Sequence, residues 1–460
     1  MPARFVNIDR DTPLLLPPDL RAWVPEDHLA QFILEAVESL NLTSIRVNDR
    51  GTGDEQYPPR MLLALLLYCY AVGIFSSRAI ERATHDHVPA RLISGDTHPD
   101  HDTICTFRRD NQPLLEELFV RVLELARECK LLRVGQITVS VDGTKVLADA
   151  SKHAAVSYQR AGEMIEQLEL EVKQLLRKAE QADSAPLQDG LTIPAEIARR
   201  HQRKAALQKA RAVIEQRARE RATREQPDYE KKVAARAAKK ARGERVGGRD
   251  PKPPDETPGP KDQYNFTDAD SRIMKAGNGD HFEQAYNAQA AVEVESRLIV
   301  APRVSDAPND KEQLPLTVAA IPTAVVESIG AVLVDSGFYS EEAVKAVETN
   351  GQTVVYAAVE KTGHHRSVAD LEKKAEAPPP GKGASGTEIM RHRVSSSEGK
   401  AKYKLRQQTI EPVFGIIKDA MGFRRFSLRG LAKAGLEWLL VCLAYNLRRL
   451  HRMEIAAVVG

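Results

Sequence analysis

Ile137-Thr138-Val139-Ser140-Val141-Asp142-Gly143-Thr144-Lys145 is the stretch from which the rest of the chain is read. β-Branched apolar residues dominate its first five positions, which predicts a buried strand, and the run stops at a carboxylate. Ala331-Val332-Leu333-Val334 repeats the arrangement, an apolar strand that stops at Asp335 and is followed by Ser336-Gly337-Phe338-Tyr339. A third acid, Glu411, opens Glu411-Pro412-Val413-Phe414-Gly415-Ile416-Ile417-Lys418, which reads as a helix. Gaps of 193 and 76 residues separate these acids, so only tertiary folding can bring them together.

Composition bounds the fold. A chain of 460 residues has room for two or three domains, and 42% hydrophobic with 28% charged residues is a globular composition. The net charge of +2 says nothing about partners, but its distribution does. Between Arg199 and Arg249 stand 18 Lys/Arg against 6 Asp/Glu, an excess of 12 positive charges. Cys69, Cys105, Cys129 and Cys442 are widely spaced and form no Cys-x-x-Cys pair. A disulfide scaffold is therefore not expected, and a reducing cytoplasm is the default location. Arg4, Asp9, Arg10 and Asp11 stand where a signal peptide needs an apolar core. Met61 to Phe75 is strongly apolar, but its 15 residues fall short of the roughly 18–20 of a membrane span. It reads as a buried helix behind Pro58 and Pro59, and no membrane association is expected.

Periodicity divides the chain into four parts. Residues 1–132 read as helical throughout, with an i, i+3, i+4 stripe of Leu29, Phe32, Ile33, Ala36, Val37 and Leu40 and a last helix from Leu114 to Leu131. Compact domains of short helices often bind DNA, which is the expectation here. Residues 133–158 begin a core of strands. Residues 159–262 interrupt it with a basic helical hairpin. Its first arm carries Ile165, Leu168, Val172, Leu175 and Ala179, its turn lies at Pro186 to Gly190, and its second arm carries Ile197, Leu207, Ala210 and Ile214. A Pro/Gly linker, Gly247 to Lys261, closes the insertion.

Residues 263–460 resume the core. Strands Phe282 to Val294 and Arg297 to Val304 form a hairpin at Glu295-Ser296, followed by a helix from Leu314 to Ile329 and the strand that stops at Asp335. A helix from Glu341 to Thr349 and a strand from Thr353 to Val359 come next. Lys361 to Lys400 reads as loop, and Tyr403 to Leu450 as helical, with Leu436 to Leu447 apolar on nearly every face. Without the insertion the order is strand, two strands, helix, strand, helix, strand, helix. The expected fold is α/β: a ribonuclease-H-like core with an N-terminal all-helical domain and an inserted helical hairpin.

Acids on the first and fourth strands and on the last helix suit phosphodiester chemistry. Two divalent ions can serve the attacking and leaving oxygens at once, and magnesium takes oxygen ligands while keeping several waters. Asp142, Asp335 and Glu411 are the candidate ligands for two Mg²⁺, with Mn²⁺ as a substitute. A plainer account competes with this at each position. Asp142-Gly143 is a frequent turn dipeptide, and an acid in the first turn of a helix complements its dipole.

Around Glu411 the spacing is Tyr403-x2-Arg406-x4-Glu411-x6-Lys418. Glu411 and Lys418 stand about two helical turns apart and share a face in a regular helix. Here the chain resembles the DDE transposases of bacterial insertion sequences, in the branch with a Tyr-Arg-Glu-Lys motif around the final acid. Pro99 to Arg108 (PDHDTICTFR), Val141 to Lys145, Val334 to Tyr339, Val413 to Lys418 and Gly422-Phe423-Arg424-Arg425-Phe426 carry the resemblance. It implies that Asp142, Asp335 and Glu411 are a catalytic, metal-binding triad, and that Tyr403, Arg406 and Lys418 handle DNA. The gap from Arg406 to Glu411 holds four residues where that motif usually has three. Arg424 and Arg425 add positive charge beside the set and are further DNA-binding candidates.

The resulting expectation is a transposase that binds the terminal repeats of its element, cleaves DNA and joins it to a target. Double-stranded DNA is the partner, and a homodimer is expected because two ends are processed together. The alternatives are a stand-alone metal-dependent nuclease of the same fold and a DNA-binding repressor without catalysis. His85, His87, His98, His101 and Cys105 lie at metal-like spacing but lack a second cysteine pair, and are read as supports for the fold. The pair His364-His365 is read as solvated.

Overall fold

The computed structural model describes residues 19–40, 45–46, 56–133, 135–182, 193–243, 246–275, 281–359, 379–381 and 383–459. Seven helices come first: α1 Leu20–Trp23, α2 Leu29–Glu38, α3 Pro59–Ala71, α4 Ser77–Asp86, α5 Val88–Ile93, α6 His101–Asp110 and α7 Gln112–Glu128. Pro58 stands just before α3 and Pro59 at its first position, where a missing N–H costs nothing. From Leu62 to Ala71 every residue of α3 is buried, so the apolar stretch is an internal helix. Among the described residues no helix is long and apolar enough to cross a membrane.

The central sheet has six strands: β1 Gln136–Leu147, β4 Arg272–Lys275, β5 Phe282–Glu293, β6 Ile299–Ser305, β7 Ser328–Val334 and β8 Val354–Ala357. A separate pair, β2 Ala155–Ser157 with β3 Gln263–Asn265, lies at the root of the insertion. β5 runs antiparallel to β1 and carries β6 and β4 along its other edge. β7 and β8 run parallel to β1 on the opposite side. The outer edge of β6 is closed by a side chain: Asn446 accepts from the Ile299 N–H at 2.9 Å and donates to its carbonyl at 2.8 Å. An amide thus supplies the donor and acceptor of a neighbouring strand and blunts an otherwise open edge.

Helices α10 Gln313–Ala319 and α11 Glu341–Glu348 connect the strands. After β8 come α12 Gly386–Ser395, α13 Ser397–Gly415, a π turn over Ile416–Ala420, and α14 Leu431–Val459. The last of these packs on β6, α3 and α7, and Trp438 donates to the Gln289 carbonyl at 2.9 Å. One hydrophobic core therefore runs from the N-terminal helices through α14 to the sheet.

The insertion is a pair of helices, α8 Tyr158–Ala182 and α9 Ile193–Ala241. They are antiparallel. Glu171 meets Arg200, Glu169 meets Lys204, and Tyr158 meets Arg211 and Glu215. Leu168, Leu207 and Ala210 form a small core between them. At about 1.5 Å per residue, the 49 residues of α9 span roughly 70 Å, and its C-terminal part continues beyond α8. The proposed turn at Pro186 to Gly190 and the pair His364-His365 lie outside the described residues.

Several boundaries differ from the sequence reading. Asp142 is not at a strand end, because β1 continues to Leu147 on the antiparallel pairing with β5 after its pairing with β7 has stopped at Val141. The turn reading of Asp142-Gly143 fails for the same reason. The helix expected from Leu314 to Ile329 ends at Ala319, and the chain turns before β7. The segment read as loop up to Lys400 contains α12 and the start of α13, each capped by a serine whose hydroxyl accepts a backbone N–H. Polar composition concealed them, since neither has a strong apolar stripe. Glu411 accordingly sits late in α13 rather than in a first turn, so the helix-dipole account of it does not apply. The helix read as continuous to Leu450 is broken between Ala420 and Leu431, with Gly422 at φ +77°.

Candidate active site

Strand register brings the first two acids together. Val141 is the partner of Val334 in the parallel pairing of β1 and β7, so Asp142 and Asp335 are the next residues on adjacent strands. Each carboxylate accepts the backbone N–H of the residue after it, from Gly143 at 2.8 Å and from Ser336 at 2.7 Å. Past this point β7 turns away into a short 3₁₀ turn while β1 runs on. The result is a notch at the C-terminal end of the parallel strands, the place where open α/β sheets bind ligands.

Helix α13 lies across β1, β7 and β8 and brings the third acid. The guanidinium of Arg406 links the elements: it donates to Asp142 Oδ2 at 3.1 Å and to Glu411 Oε1 at 3.4 Å. Asp335 and Tyr403 also face it, and its charge is held by all four groups against a strong desolvation. Arg406 is 8% exposed, whereas the Glu411 side chain is 55% exposed and opens to solvent. Burial pushes Asp142 up to about 6; Arg406 opposes the shift, and the charges of Asp335 and Asp310 add to it. Tyr403 is likewise raised, by burial first.

A further polar group, which the sequence reading missed, surrounds the same strand. Asp310 Oδ1 accepts from Asn287 Nδ2 at 2.6 Å and from Gln289 Nε2 at 2.7 Å. Both amides are wholly buried, and among the described residues their carbonyl oxygens have no hydrogen-bond partner. Lys145 is the register partner of Asn287, and its buried ammonium has no hydrogen bond among the described residues and lies within the fields of Asp310 and Asp142. Gly143 is required by this packing: a Cβ there would stand 2.3 Å from Gln289 Nε2 and 2.9 Å from Asp310 Oδ1. Asn287-Ala288-Gln289 within an apolar strand was the available signal, since buried amides demand partners.

The remaining candidates are placed less uniformly. Lys418 sits in the π turn, so it does not follow regular helical spacing from Glu411, and its ammonium donates to the Lys145 carbonyl at 3.2 Å. Burial lowers its pKa, and nearby Arg424 adds to the effect. Arg424 is exposed and paired with Asp419, and Arg425 is exposed where the chain bridges to Leu147. The histidines of the N-terminal helices make local contacts: His101 with Glu81 at 2.9 Å, and His98 with Thr84 at 3.1 Å and stacked on His85.

The donor chemistry of Asp142, Asp335 and Glu411, all carboxylate oxygen, fits a hard divalent cation, and the protein already sets a cationic group among them. Among the described residues, no three His, Cys, Asp or Glu side chains are close enough to hold one ion. The fork of Arg406 fills the gap between Asp142 and Glu411.

Two family models match the chain. A transposase domain (DUF772) matches residues 18–110, the N-terminal helices, and a transposase DDE domain matches residues 255–447, which include Asp335 and Glu411. Asp142 lies outside both matches, on the far side of the insertion. Comparison with curated proteins and with solved structures returns no match. With the two models together covering well over half of its length, the chain belongs to the DDE transposases of insertion sequences.

Proposed function

We propose that this transposase cuts and joins DNA at the notch between β1 and β7, with Asp142, Asp335 and Glu411 as its acidic triad. The observation that carries this reading is their arrangement around one guanidinium, which joins two of them directly and feels the third. The strand order β6-β5-β1-β7-β8, with the first three strands antiparallel and the last two parallel to β1, supports a ribonuclease-H-like core. Insertion of α8 and α9 after β1 supports a division into a core and a hairpin. The N-terminal helices then form the first part, sharing the core.

Mg²⁺ or Mn²⁺ bound here would supply an activated water and charge neutralisation at the phosphate. The chain's own contribution is placement. Asp142 and Asp335 are fixed by strand register and by their backbone hydrogen bonds, and Glu411 reaches in from α13. Tyr403 and Arg406 border the notch, Lys418, Arg424 and Arg425 lie further along β1 near Lys145 and Leu147, and all five contact the DNA backbone in this reading. Tyr403, Arg406, Glu411 and Lys418 support the Tyr-Arg-Glu-Lys branch of the family, with one residue more between Arg406 and Glu411 than its motif usually has. The hairpin adds a phosphate-binding surface, although Arg200, Lys204, Arg217 and Arg221 are already engaged with acids of the protein. Double-stranded element ends and target DNA are the substrates, a homodimer brings two ends together, and the site of action is the cytoplasm. A supercoiled plasmid carrying the element ends, incubated with Mg²⁺, tests this. The intact chain nicks and joins, and Asp142→Ala does neither. Nicking without joining indicates a plain nuclease, and equal activity of the variant refutes the assignment.

A further inference from the structure

We infer that Arg406 is a built-in counter-cation which DNA draws away from the acids, so that arrival of DNA and loading of the divalent metal are coupled. The inference rests on the proposed metal-dependent site and goes beyond it. Metal and guanidinium compete for the same carboxylate oxygens, and the guanidinium contacts Asp142 Oδ2 and Glu411 Oε1.

Its hold is real but loose. The contacts to Asp142 and Glu411, 3.1 and 3.4 Å, are longer than the 2.7 Å between Arg272 and Asp306 in the same chain. They are also longer than the roughly 2.7–2.9 Å usual for charge-assisted hydrogen bonds. Arg406 Nε is buried with no hydrogen-bond partner among the described residues, so the fork is not matched to its described surroundings. Tyr403, whose ring centre is 6.0 Å from the guanidinium carbon, flanks it. The charged side chains facing Arg406 are Asp142 from β1, Asp335 from β7 and Glu411 from α13. Of these, the half-exposed Glu411 marks the open side.

A phosphodiester entering from that side meets three acids and is repelled unless a cation turns toward it. Arg406 is the guanidinium at the centre of the group, and its planar fork suits two phosphate oxygens better than two divergent carboxylates. As it turns, Asp142 and Glu411 lose their counter-charge and bind a divalent cation more tightly. The coupling is reciprocal, so metal also tightens DNA binding. An isolated chain keeps a weak metal site and does not assemble a nucleolytic centre before DNA is present.

Mn²⁺ binding by titration calorimetry on the full chain tests this, with and without a short duplex of random sequence. Arg406→Gln is expected to bind Mn²⁺ roughly ten- to hundredfold tighter than wild type in the absence of DNA. That is the range for removing a competing charge-assisted hydrogen bond. Wild type is expected to approach the variant's affinity once the duplex is added, and the variant to gain little. Where Arg406→Gln fails to fold by circular dichroism, Arg406→Lys carries the same test with a smaller gain in the same direction. A variant that binds Mn²⁺ no tighter than wild type without DNA overturns the coupling and leaves the metal site standing. Absence of Mn²⁺ binding by wild type under both conditions overturns the metal site as well.

Discussion

Two sets of acids in this protein, one fully buried and one at the notch, have opposite surroundings. Asp268, 2% exposed, takes the Tyr286 hydroxyl at 2.8 and 2.9 Å on its two oxygens, and Oδ1 also accepts the Gly430 N–H at 3.2 Å. Glu437, wholly buried, takes the Ser427 N–H at 2.8 Å, its hydroxyl at 2.5 Å and the Leu428 N–H at 3.0 Å. These acids tie the segment after the π turn to α14 and the sheet, and fixed neutral donors satisfy them. Asp142 has one backbone donor and a guanidinium, and its pKa is raised by burial first, with the charges of two other acids adding to it. Asp268 and Glu437 are saturated by neutral donors, whereas Asp142 has like charges beside it and a guanidinium as its side-chain partner, the environment expected of the proposed catalytic role.

Substitutions sharpen the contrast, and the largest effect belongs to the crowded group. Asp142→Ala is expected to lower DNA cleavage by about 10⁴-fold or more, the scale for deleting one member of a coupled catalytic unit. Its melting temperature should not fall below that of wild type, because the change also removes a carboxylate whose ionisation is penalised by burial. A plasmid assay beside a thermal melt reads both. For the saturated group the pattern inverts. Glu437→Ala leaves three donors without an acceptor and should cost about 3 kcal/mol in a urea titration. Gly143→Ala should cost about 1–3 kcal/mol, since the added methyl enters the space of two buried amides.

Burial raises the pKa of both Asp142 and Glu437, and at Asp142 the shift sets a pH window for stability. Asp142 is held at about 6 in the folded chain against an ordinary 3.8, so the folded state binds the extra proton between those values. Ionising Asp142 therefore lowers stability, with the full cost above about pH 6 and none of it below about pH 4. Asp142→Asn should gain up to roughly 2–3 kcal/mol relative to wild type as pH rises through this window, in the absence of metal. Denaturation midpoints at pH 4.5 and about 7.5 give the difference, and a gap independent of pH contradicts it. The smallest effect is expected at Arg424. Its pair with Asp419 is 69% and 70% exposed, so Arg424→Ala should leave stability within about 0.5 kcal/mol. The same change should reduce the salt dependence of DNA binding by about one phosphate contact.

What sequence made legible was periodicity and the acids that interrupt it. β1 and β7 announced themselves as apolar runs, and the order of elements after the insertion follows from alternation of such runs with helices. Where signals were polar they misled. Helices α12 and α13 begin in serine-capped stretches with few apolar residues and read as loop, which displaced Glu411 from late in a helix to its start. The extension of β1 past Asp142 depends on pairing with β5, about 145 residues away, and no local pattern encodes it. Asp310 was illegible for a similar reason: it gains meaning only from the Asn287 and Gln289 amides that grip it. Arg406 was visible through its motif, but its place between two acids required the fold.

The central claim is that Asp142, Asp335 and Glu411 share one cation-binding notch. Anomalous diffraction from crystals of the DNA complex soaked in Mn²⁺ tests it most directly. Manganese peaks touching all three carboxylates are expected, with Arg406 withdrawn from Asp142. Manganese bound elsewhere, with the Asp142–Arg406 pair intact, would contradict it.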